Sequence, residues 1–407
     1  MEPRTTTDGE RDLPPHFRRA WALARRARTG RLDVTLPDGR LFRHEGAAPG
    51  PAARIDVHRR DAFARLVRGG DTGFLEGYVD GAWSTPDLQA LLDWTCREGE
   101  VLVQQVRGLA PLRAWQRLRH WARRNTRRQA RRNVARHYDL GEEFYALWLD
   151  EGLTYSSALF DTGQESLEAA QEAKYAAIVD RMQVRPGDHV LEVGCGWGGF
   201  AEYAAGRRGL RVTGLTLSRA QLAYARARIA REGLGHLVDL RLRDYRDEDG
   251  TYDGIASIEM MEQVGQAYWP TYVDMLRDRL RPGARAAVQV IVVPDARWDR
   301  YARSVDFMQR HVFPGGMLPS PSRLARQVAR AGLVDGGATS LAASYSLTLR
   351  RWRERFEERW EAVAALGFDE RFRRTWTLYL AACAAGFEHG MLDVVQVVVR
   401  RPAAGAA

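Results

Sequence analysis

The stretch HVLEVGCGWGGFAEYAAGR, residues 189–207, combines an apolar strand, a glycine-rich turn and a helix. Gly194 and Gly196 allow the backbone to approach a ligand closely, and the following helix offers its N-terminus to that ligand. Dinucleotide-binding enzymes use similar turns, and Gly199 stands where the third glycine of their fingerprint falls. The turn therefore predicts a cofactor site without identifying the cofactor.

The same order of strand, turn and helix recurs after this turn. RVTGLTLSRAQLAYARARIARE, residues 211–232, repeats it, and this second strand does not run into the acidic residue expected to hold an NAD ribose. Further strands are predicted within residues 238–245, 252–264 and 284–293. Ser166 is a predicted N-cap for a helix that precedes the first of these strands. Strands alternating with helices predict an α/β fold with a parallel, doubly wound sheet and ligands beyond the carboxyl ends of the strands.

A second, smaller unit is predicted before this sheet. RLDVTLPDGRLFR, residues 31–43, alternates polar and apolar residues around PDG, which predicts two strands and a tight turn. Helical spacing follows in residues 61–94, so we expect a small α+β unit that ends between residues 105 and 130. We therefore divide the chain of 407 residues into domains at 1–120 and 121–407.

Composition indicates the cellular compartment in which the protein is expected. No window approaches the roughly 18 apolar residues that span a bilayer, and the N-terminal residues lack the pattern of a secretory signal. Cys96, Cys195 and Cys383 lie far apart in no metal-ligand spacing, which suggests a reducing compartment. These features predict a cytoplasmic protein with no metal site.

The net charge of +9 is unevenly distributed. Residues 107–136 are crowded with arginine and interleaved with tryptophan, a combination that suits an anionic surface. Tryptophan favours the membrane interface over nucleic acid, because the indole is stable at headgroup depth. A solvated linker helix is the alternative for this segment.

Several motifs carry a family resemblance. VLEVGCGWGG resembles motif I of class I S-adenosylmethionine-dependent methyltransferases, and GLTLSRAQ resembles motif II of cyclopropane-fatty-acyl-phospholipid synthases and mycolic acid methyltransferases. DTGFLEGYVDGAW, residues 71–83, resembles the N-terminal domain of the members that act on phospholipid. Other stretches match the same family in sequential order between residues 130 and 400: ARHYDLGEEFYALWLDEGLTYSSALF, YDGIASIEMMEQVG, RHVFPGGMLPS and TWTLYLAACAAGFEHG.

This resemblance implies a Rossmann-like class I methyltransferase sheet with helical insertions over the active site, plus a small N-terminal α+β domain. It implies S-adenosylmethionine as cofactor and places Asp244 and Tyr245 near the adenine. Capping of the following helix by Thr216 and Ser218 is the alternative to a cofactor role. The implied cofactor contacts are Tyr155, Ser156, Gly194, Gly196, Thr216, Leu217 and Gln221.

The family adds a methyl group to a carbon–carbon double bond, which leaves a carbocation that must lose a proton. In cyclopropane-forming relatives a bicarbonate ion removes it, held by a cysteine, a glutamate–histidine pair, a second histidine and a tyrosine. Here Glu262 and Tyr345 remain, while Ser157, Gln263 and Gln289 replace the cysteine and the histidines. Ser157 is expected to donate hydrogen bonds and not to act as a nucleophile.

Two readings stay open for the altered site. Bicarbonate still binds through serine and glutamine, or the cation resolves differently and gives a methylene or methyl branch. Gln289 resembles the branch of the family that makes methylene-branched fatty acids, so we favour the second reading, with Glu262 as the leading candidate for the base or for the group that orients it.

The resemblance also implies partners. They are unsaturated acyl chains of membrane phospholipid, an anionic membrane surface at the cytoplasmic face of the inner membrane, a second copy in a homodimer and a reductase acting on the product, with no nucleic acid. Cyclopropane formation is the alternative within the family. A small-molecule methyltransferase and a membrane-binding protein with a decayed site are the alternatives outside it.

Overall fold

A computed structural model describes residues 4–103 and 140–403. The arginine-rich segment 107–136 and the predicted domain boundary between residues 105 and 130 both lie outside the described residues.

The N-terminal part is built on a five-stranded sheet with the order β1-β3-β2-β4-β5. The hairpin predicted within residues 31–43 is confirmed, since β2 and β3 pair in antiparallel fashion. Phe17, Phe42, Phe63 and Trp83 are buried in its core. The strands are β1 Arg4–Thr7, β2 Thr29–Thr35, β3 Leu41–Glu45, β4 Ala48–Val57 and β5 Trp83–Ser84, and the helices are α1 Phe17–Ala24, α2 Ala62–Val79 and α3 Leu88–Val103.

The second sheet has seven strands in the order β11-β12-β10-β9-β6-β7-β8. Strands β6 to β10 are parallel to their neighbours within that group, and β12 is antiparallel to both β10 and β11, which confirms the predicted doubly wound sheet. The strands are β6 His189–Val193, β7 Arg211–Thr216, β8 Val238–Leu242, β9 Tyr252–Ile258, β10 Leu280–Val292, β11 Val334–Ser340 and β12 Asp393–Arg400.

One edge of this sheet is irregular. Every residue of β11 is exposed, and its pairing with β12 shifts register between Asp335 and Ala338. Gly336 and Gly337 occupy the shift, and Gly337 has a φ of 94°. Such a bulge bends an edge strand and interrupts its ladder of hydrogen bonds.

Helices connect the strands and cover the carboxyl ends of the sheet. Ser166 caps α5 as predicted, because its hydroxyl accepts a 3.1 Å hydrogen bond from the Ala169 amide. The helices are α4 Glu142–Ala146, α5 Leu167–Met182, α6 Gly199–Arg208, α7 Arg219–Arg231, α8 Trp269–Arg279, α9 Asp295–Tyr301, α10 Phe307–His311, α11 Pro321–Arg330, α12 Ala342–Glu358, α13 Trp360–Ala365 and α14 Glu370–Glu388.

The N-terminal helices pack against these helical insertions. Val79 and Leu88 share an apolar cluster with Phe307 of α10 and Leu378 of α14. Glu76 of α2 adds an ion pair with Arg310 of α10 at 2.9 Å. Within the two described ranges, no helix is long and apolar enough to cross a membrane.

Candidate active site at the carboxyl ends of the strands

The glycine-rich turn follows β6 and leaves open space above it. Gly194 and Gly196 have φ values of 88° and 50°, a left-handed conformation that favours glycine. The amides of Gly194 and Cys195 donate to the carbonyl of Leu215 at 3.1 and 2.8 Å, which fixes the turn against β7. A Cβ atom added to Gly196 would meet no other atom within 4 Å. The turn therefore presents exposed backbone to a ligand.

Polar side chains at the end of β7 are ordered by one another. The Thr216 hydroxyl donates to Gln221 Oε1 at 2.9 Å and accepts a bond of 3.1 Å from the Ser218 amide. Ser218 accepts from the Gln221 amide at 3.2 Å, so Ser218, and not Thr216, caps α7. Leu217 lies between them and is half-buried. The neutral pair Thr216–Gln221 is thus preformed next to the glycine turn.

Asp244 and Tyr245 follow β8. Both carboxylate oxygens of Asp244 accept from the Arg246 guanidinium, at 2.8 and 2.6 Å, so the buried charge is compensated. The ring of Tyr245 packs edge-on against Tyr272 with a centroid distance of 5.8 Å. Their contact with adenine stays a prediction.

The loop before α5 carries the other predicted cofactor contacts. Tyr155 shares a 2.9 Å hydrogen bond between its hydroxyl and that of Tyr379. The hydroxyl of Ser156 accepts from Nζ of Lys174 at 2.7 Å. Lys174 is fully buried, and burial lowers its pKa to about 8 despite the opposing charge of Glu259.

Three groups predicted to hold an anion converge on a carboxylate of the chain itself. That carboxylate belongs to Glu259, the first residue after β9. Its Oε1 accepts from the Ser157 amide and from Gln289 Nε2, both at 2.8 Å. Its Oε2 accepts from the Tyr345 hydroxyl at 2.7 Å. Since Tyr345 lies on α12, this bond also joins a helical insertion to the end of the sheet.

The surroundings of Glu259 shift its pKa in opposite directions. Burial raises its pKa, whereas the bonds from Tyr345, Ser157 and Gln289 and the charge of Lys174 lower it. Burial and the neighbouring carboxylate both raise the pKa of Tyr345, so its hydroxyl remains a donor. The backbone of Glu259 is held at a φ of 52°, with its amide bonded to the Gln289 carbonyl at 2.8 Å.

Ser157 contributes its backbone to this arrangement. Its amide contacts Glu259, while its buried hydroxyl donates to the carbonyl of Ala158 at 2.9 Å. The carbonyl of Ser157 also accepts a longer bond of 3.4 Å from Gln289. The position therefore works as a hydrogen-bonding group, and the donor to the carboxylate is the peptide N–H.

Glu262 lies in the short turn that follows and has a different environment. One oxygen accepts from the Ile291 amide, and burial raises its pKa to about 8, with the charge of Glu259 adding to the shift. Its carbonyl accepts from the amide of Met317 at 2.9 Å. Across the described ranges, Glu262 makes no hydrogen bond with Ser157, Gln289 or Tyr345. The structure thus places Glu259 among these donors, and not Glu262, the candidate base favoured from the sequence.

Gln263, the other replaced position, is half-buried in the same turn, where its amide bonds to the Met260 carbonyl at 3.0 Å. Glu259 itself was missed from the sequence, although its place directly after a parallel strand is where ligands of such sheets bind. The position of Glu259 directly after a predicted parallel strand was the sequence signal that could have identified it.

Aromatic rings form one wall of the site. Tyr155 packs against Trp148 and Trp352 at centroid distances of 5.5 and 5.4 Å, and Tyr345 packs against Phe387 at 4.5 Å. Trp148, Trp352 and Trp376 are buried, and their indole N–H groups find no hydrogen-bond partner in the part of the chain that the structure describes. Buried rings on this side exclude water, and the partly exposed ring of Tyr155 offers a π face, which attracts positive charge.

The chain is similar to proteins of one known family. The profile of the family described as mycolic acid cyclopropane synthetase matches residues 125–397. The chain is 42% identical to the tuberculostearic acid methyltransferase UfaA1 of Mycobacterium tuberculosis, over 86% of this chain and 84% of that protein. It is 33% identical to the cyclopropane-fatty-acyl-phospholipid synthase of Escherichia coli, over 91% of this chain and 96% of that protein.

A solved structure shares the fold. The mycolic acid cyclopropane synthase CmaA1, complexed with S-adenosylhomocysteine and CTAB, superposes with a TM-score of 0.63 at 28% identity, covering 67% of this chain and 98% of that one. The seven-stranded sheet is therefore a class I methyltransferase sheet, as the sequence predicted.

Proposed function

Because this chain belongs to the mycolic acid cyclopropane synthetase family, we propose that it transfers a methyl group from S-adenosylmethionine to the double bond of unsaturated fatty acyl chains in membrane phospholipids. The product we propose is a methylene-branched chain, which a separate reductase converts to a methyl branch. The observation that carries this choice is the Glu259 carboxylate held by Ser157, Gln289 and Tyr345.

The residues present fit the cofactor. The exposed backbone of Gly194 and the open space at Gly196 can accommodate its amino-acid end, and the preformed pair of Thr216 and Gln221 offers neutral hydrogen-bonding groups for its ribose. One buried oxygen of Glu192, just before the turn, has no partner among the described residues and suits an ammonium group. When bound, S-adenosylmethionine supplies an electrophilic methyl group on a sulfonium.

The reaction requires the protein to stabilise a cation and remove a proton. The π electrons of the double bond form the new carbon–carbon bond as the carbon–sulfur bond breaks, and positive charge develops on the adjacent chain carbon. The buried rings of Trp148 and Trp352 back Tyr155 and keep water away, and the partly exposed ring of Tyr155 lowers the energy of this charge.

The product depends on whether the cation rearranges before the new methyl group loses a proton. Immediate loss closes a cyclopropane ring. If a hydride first moves from the methylated carbon to the cation, the same loss gives an exocyclic methylene. In both cases a base receives the proton, and the proton lost balances the charge brought by the sulfonium.

Glu259 is the base we propose. It is half-buried, it lies among three donors, and this burial raises its pKa, so it binds a proton more readily than an exposed glutamate. Bicarbonate does not fit beside it, because the donors are already bonded to Glu259 and a second anion would be repelled. The chain thus supplies internally the group that cyclopropane-forming relatives take from solution.

Ring formation remains the second candidate. The chain keeps a donor at Ser157 and the hydroxyl of Tyr345, and the Escherichia coli relative is a cyclopropane synthase by name. A carboxylate of the chain in place of bicarbonate favours the branch, because it departs from the site in which ring-forming relatives use bicarbonate to remove the proton.

Product analysis tests the choice. Purified protein is incubated with S-adenosylmethionine and vesicles of oleoyl-phosphatidylglycerol, and the fatty acids are analysed by mass spectrometry before and after mild hydrogenation. We expect a product one CH₂ heavier that takes up hydrogen, because a methylene is reduced while most cyclopropane survives. A resistant product of the same mass would establish ring formation, and no product would refute both candidates.

We also propose that the enzyme works at the anionic cytoplasmic face of the inner membrane, as a homodimer. The net charge of +9 and the arginine- and tryptophan-rich residues 107–136 support the membrane surface, and the resemblance to family members that act on phospholipid supports the homodimer. Co-sedimentation with phosphatidylglycerol vesicles, but not with phosphatidylcholine vesicles, is the expected result.

A further inference from the structure

A line of hydrogen bonds runs through the sheet to Glu259. Arg181, near the end of α5, donates through Nε to Gln396 Oε1 at 2.8 Å. Gln396 Nε2 donates to Gln289 Oε1 at 3.0 Å, and Gln289 Nε2 donates to Glu259 Oε1 at 2.8 Å. Both glutamines are completely buried, and they face each other in the antiparallel register of β10 and β12.

Each hydrogen bond in this line is donated toward Glu259, and the guanidinium of Arg181 sets that order. A primary amide has a donor end and an acceptor end, whereas arginine can only donate. Arg181 therefore holds the oxygen of Gln396 toward itself, and the nitrogen of Gln396 then holds the oxygen of Gln289. The nitrogen of Gln289 is left facing Glu259 and the Ser157 carbonyl. A reversed Gln289 would bring its oxygen against both.

We propose that Arg181 and Gln396 are positioning residues that keep the N–H of Gln289 directed at Glu259, and so keep the base ionised and oriented. This inference rests on the proposed role of Glu259. The other titratable groups that face Glu259 are Lys174 of α5, Glu262 of the following turn, Tyr345 of α12 and Tyr379 of α14. None of them lies on the line of amides.

Gln396→Glu tests the direction of the line. The new carboxylate only accepts, so it keeps its bond with Arg181 and draws the Gln289 N–H away from Glu259. Glu259 would then lose one hydrogen bond and face the Gln289 oxygen in its place. This change should lower kcat about 10- to 100-fold. The acid limb of kcat should move to higher pH, while KM for S-adenosylmethionine stays unchanged.

Three further variants and a matched control complete the test. Gln396→Met removes the bond without reversing Gln289, and it should lower kcat less than Gln396→Glu does. Arg181→Leu should shift the acid limb in the same direction, and Arg181→Lys should restore most of it. Gln327→Glu is the matched control, because Gln327 also accepts from an arginine, Arg330 at 3.1 Å, but lies on α11 away from the site.

The outcomes separate this inference from the proposed function. If Glu259→Gln abolishes turnover while Gln396→Glu and Gln396→Met keep the wild-type kcat and pH profile, the positioning role is refuted and the base survives. If Glu259→Gln has no effect, the proposed base fails, and the positioning role fails with it. Should Gln396→Glu not fold, the pH profiles of Gln396→Met and Arg181→Leu decide, since an unshifted acid limb in both would refute the role.

Discussion

Replacing Glu259 by glutamine removes the proposed base at nearly constant size. Wild-type Glu259 accepts from Ser157, Gln289 and Tyr345. An amide presents only one oxygen, so at least one of these donors must face an N–H group. Loss of a positioned base typically lowers the rate about 10²- to 10⁴-fold. That range equals roughly 3 to 5 kcal/mol in the activation barrier.

The assay measures release of S-adenosylhomocysteine and formation of the modified fatty acid at saturating vesicle concentration. Glu262→Gln is the matched control, since that side chain is buried a few residues away with a pKa of about 8 and is largely protonated at neutral pH. We expect Glu262→Gln to retain most of the rate, with both variants keeping wild-type thermal stabilisation by the cofactor. Equal loss in the two variants, or a larger loss in Glu262→Gln, would refute the assignment.

A rescue experiment extends this prediction. Glu259 has a φ of 52°, which glycine adopts without strain, so Glu259→Gly should fold and leave a space lined by the three donors. Added bicarbonate should then restore turnover in a concentration-dependent way, whereas chloride should not. Failure of bicarbonate to restore any turnover in a folded variant would argue that the carboxylate does not occupy an anion site.

Three other predictions follow from single contacts. Tyr345→Phe removes a 2.7 Å bond that lowers the pKa of Glu259, so the acid limb of the kcat profile should move to higher pH; an unchanged profile would contradict the contact. The pKa of Glu262 rises from 4.5 to about 8 on folding, so its contribution to stability is complete below pH 4.5 and is lost as pH rises through 8, by at most about 1.4 kcal/mol per pH unit. Denaturant unfolding of Glu262→Gln should therefore show a smaller loss of stability between pH 5 and pH 8 than the wild type. Ser166→Ala removes the cap of α5 and should cost about 1 kcal/mol in the free energy of unfolding without changing the product.

Local patterns were sufficient for the framework of this protein. Alternation around PDG predicted the β2–β3 hairpin, and a serine before a helical pattern predicted the cap at Ser166, because both depend on residues close in sequence. The alternation of strands and helices predicted the doubly wound sheet for the same reason.

The centre of the site could not be predicted in this way. Glu259 is bonded by a loop amide at Ser157, a strand side chain at Gln289 and a helix hydroxyl at Tyr345, which are joined only by the tertiary fold. The donor from Ser157 is its backbone, so comparing side chains at that position gives no information on the contact. The pairing of Gln289 with Gln396 depends on the register of β10 and β12, which a single sequence does not specify.

The bulge in β11 has a consequence for assembly. An exposed edge strand with a regular ladder can recruit the same strand of a second copy and continue the sheet across two molecules. Here the register shift between Asp335 and Ala338, with glycines inside it, breaks the repeat that such pairing needs. The interface of the proposed homodimer should therefore be sought away from this edge, and strengthening the edge by removing the bulge would be a route to unwanted filaments.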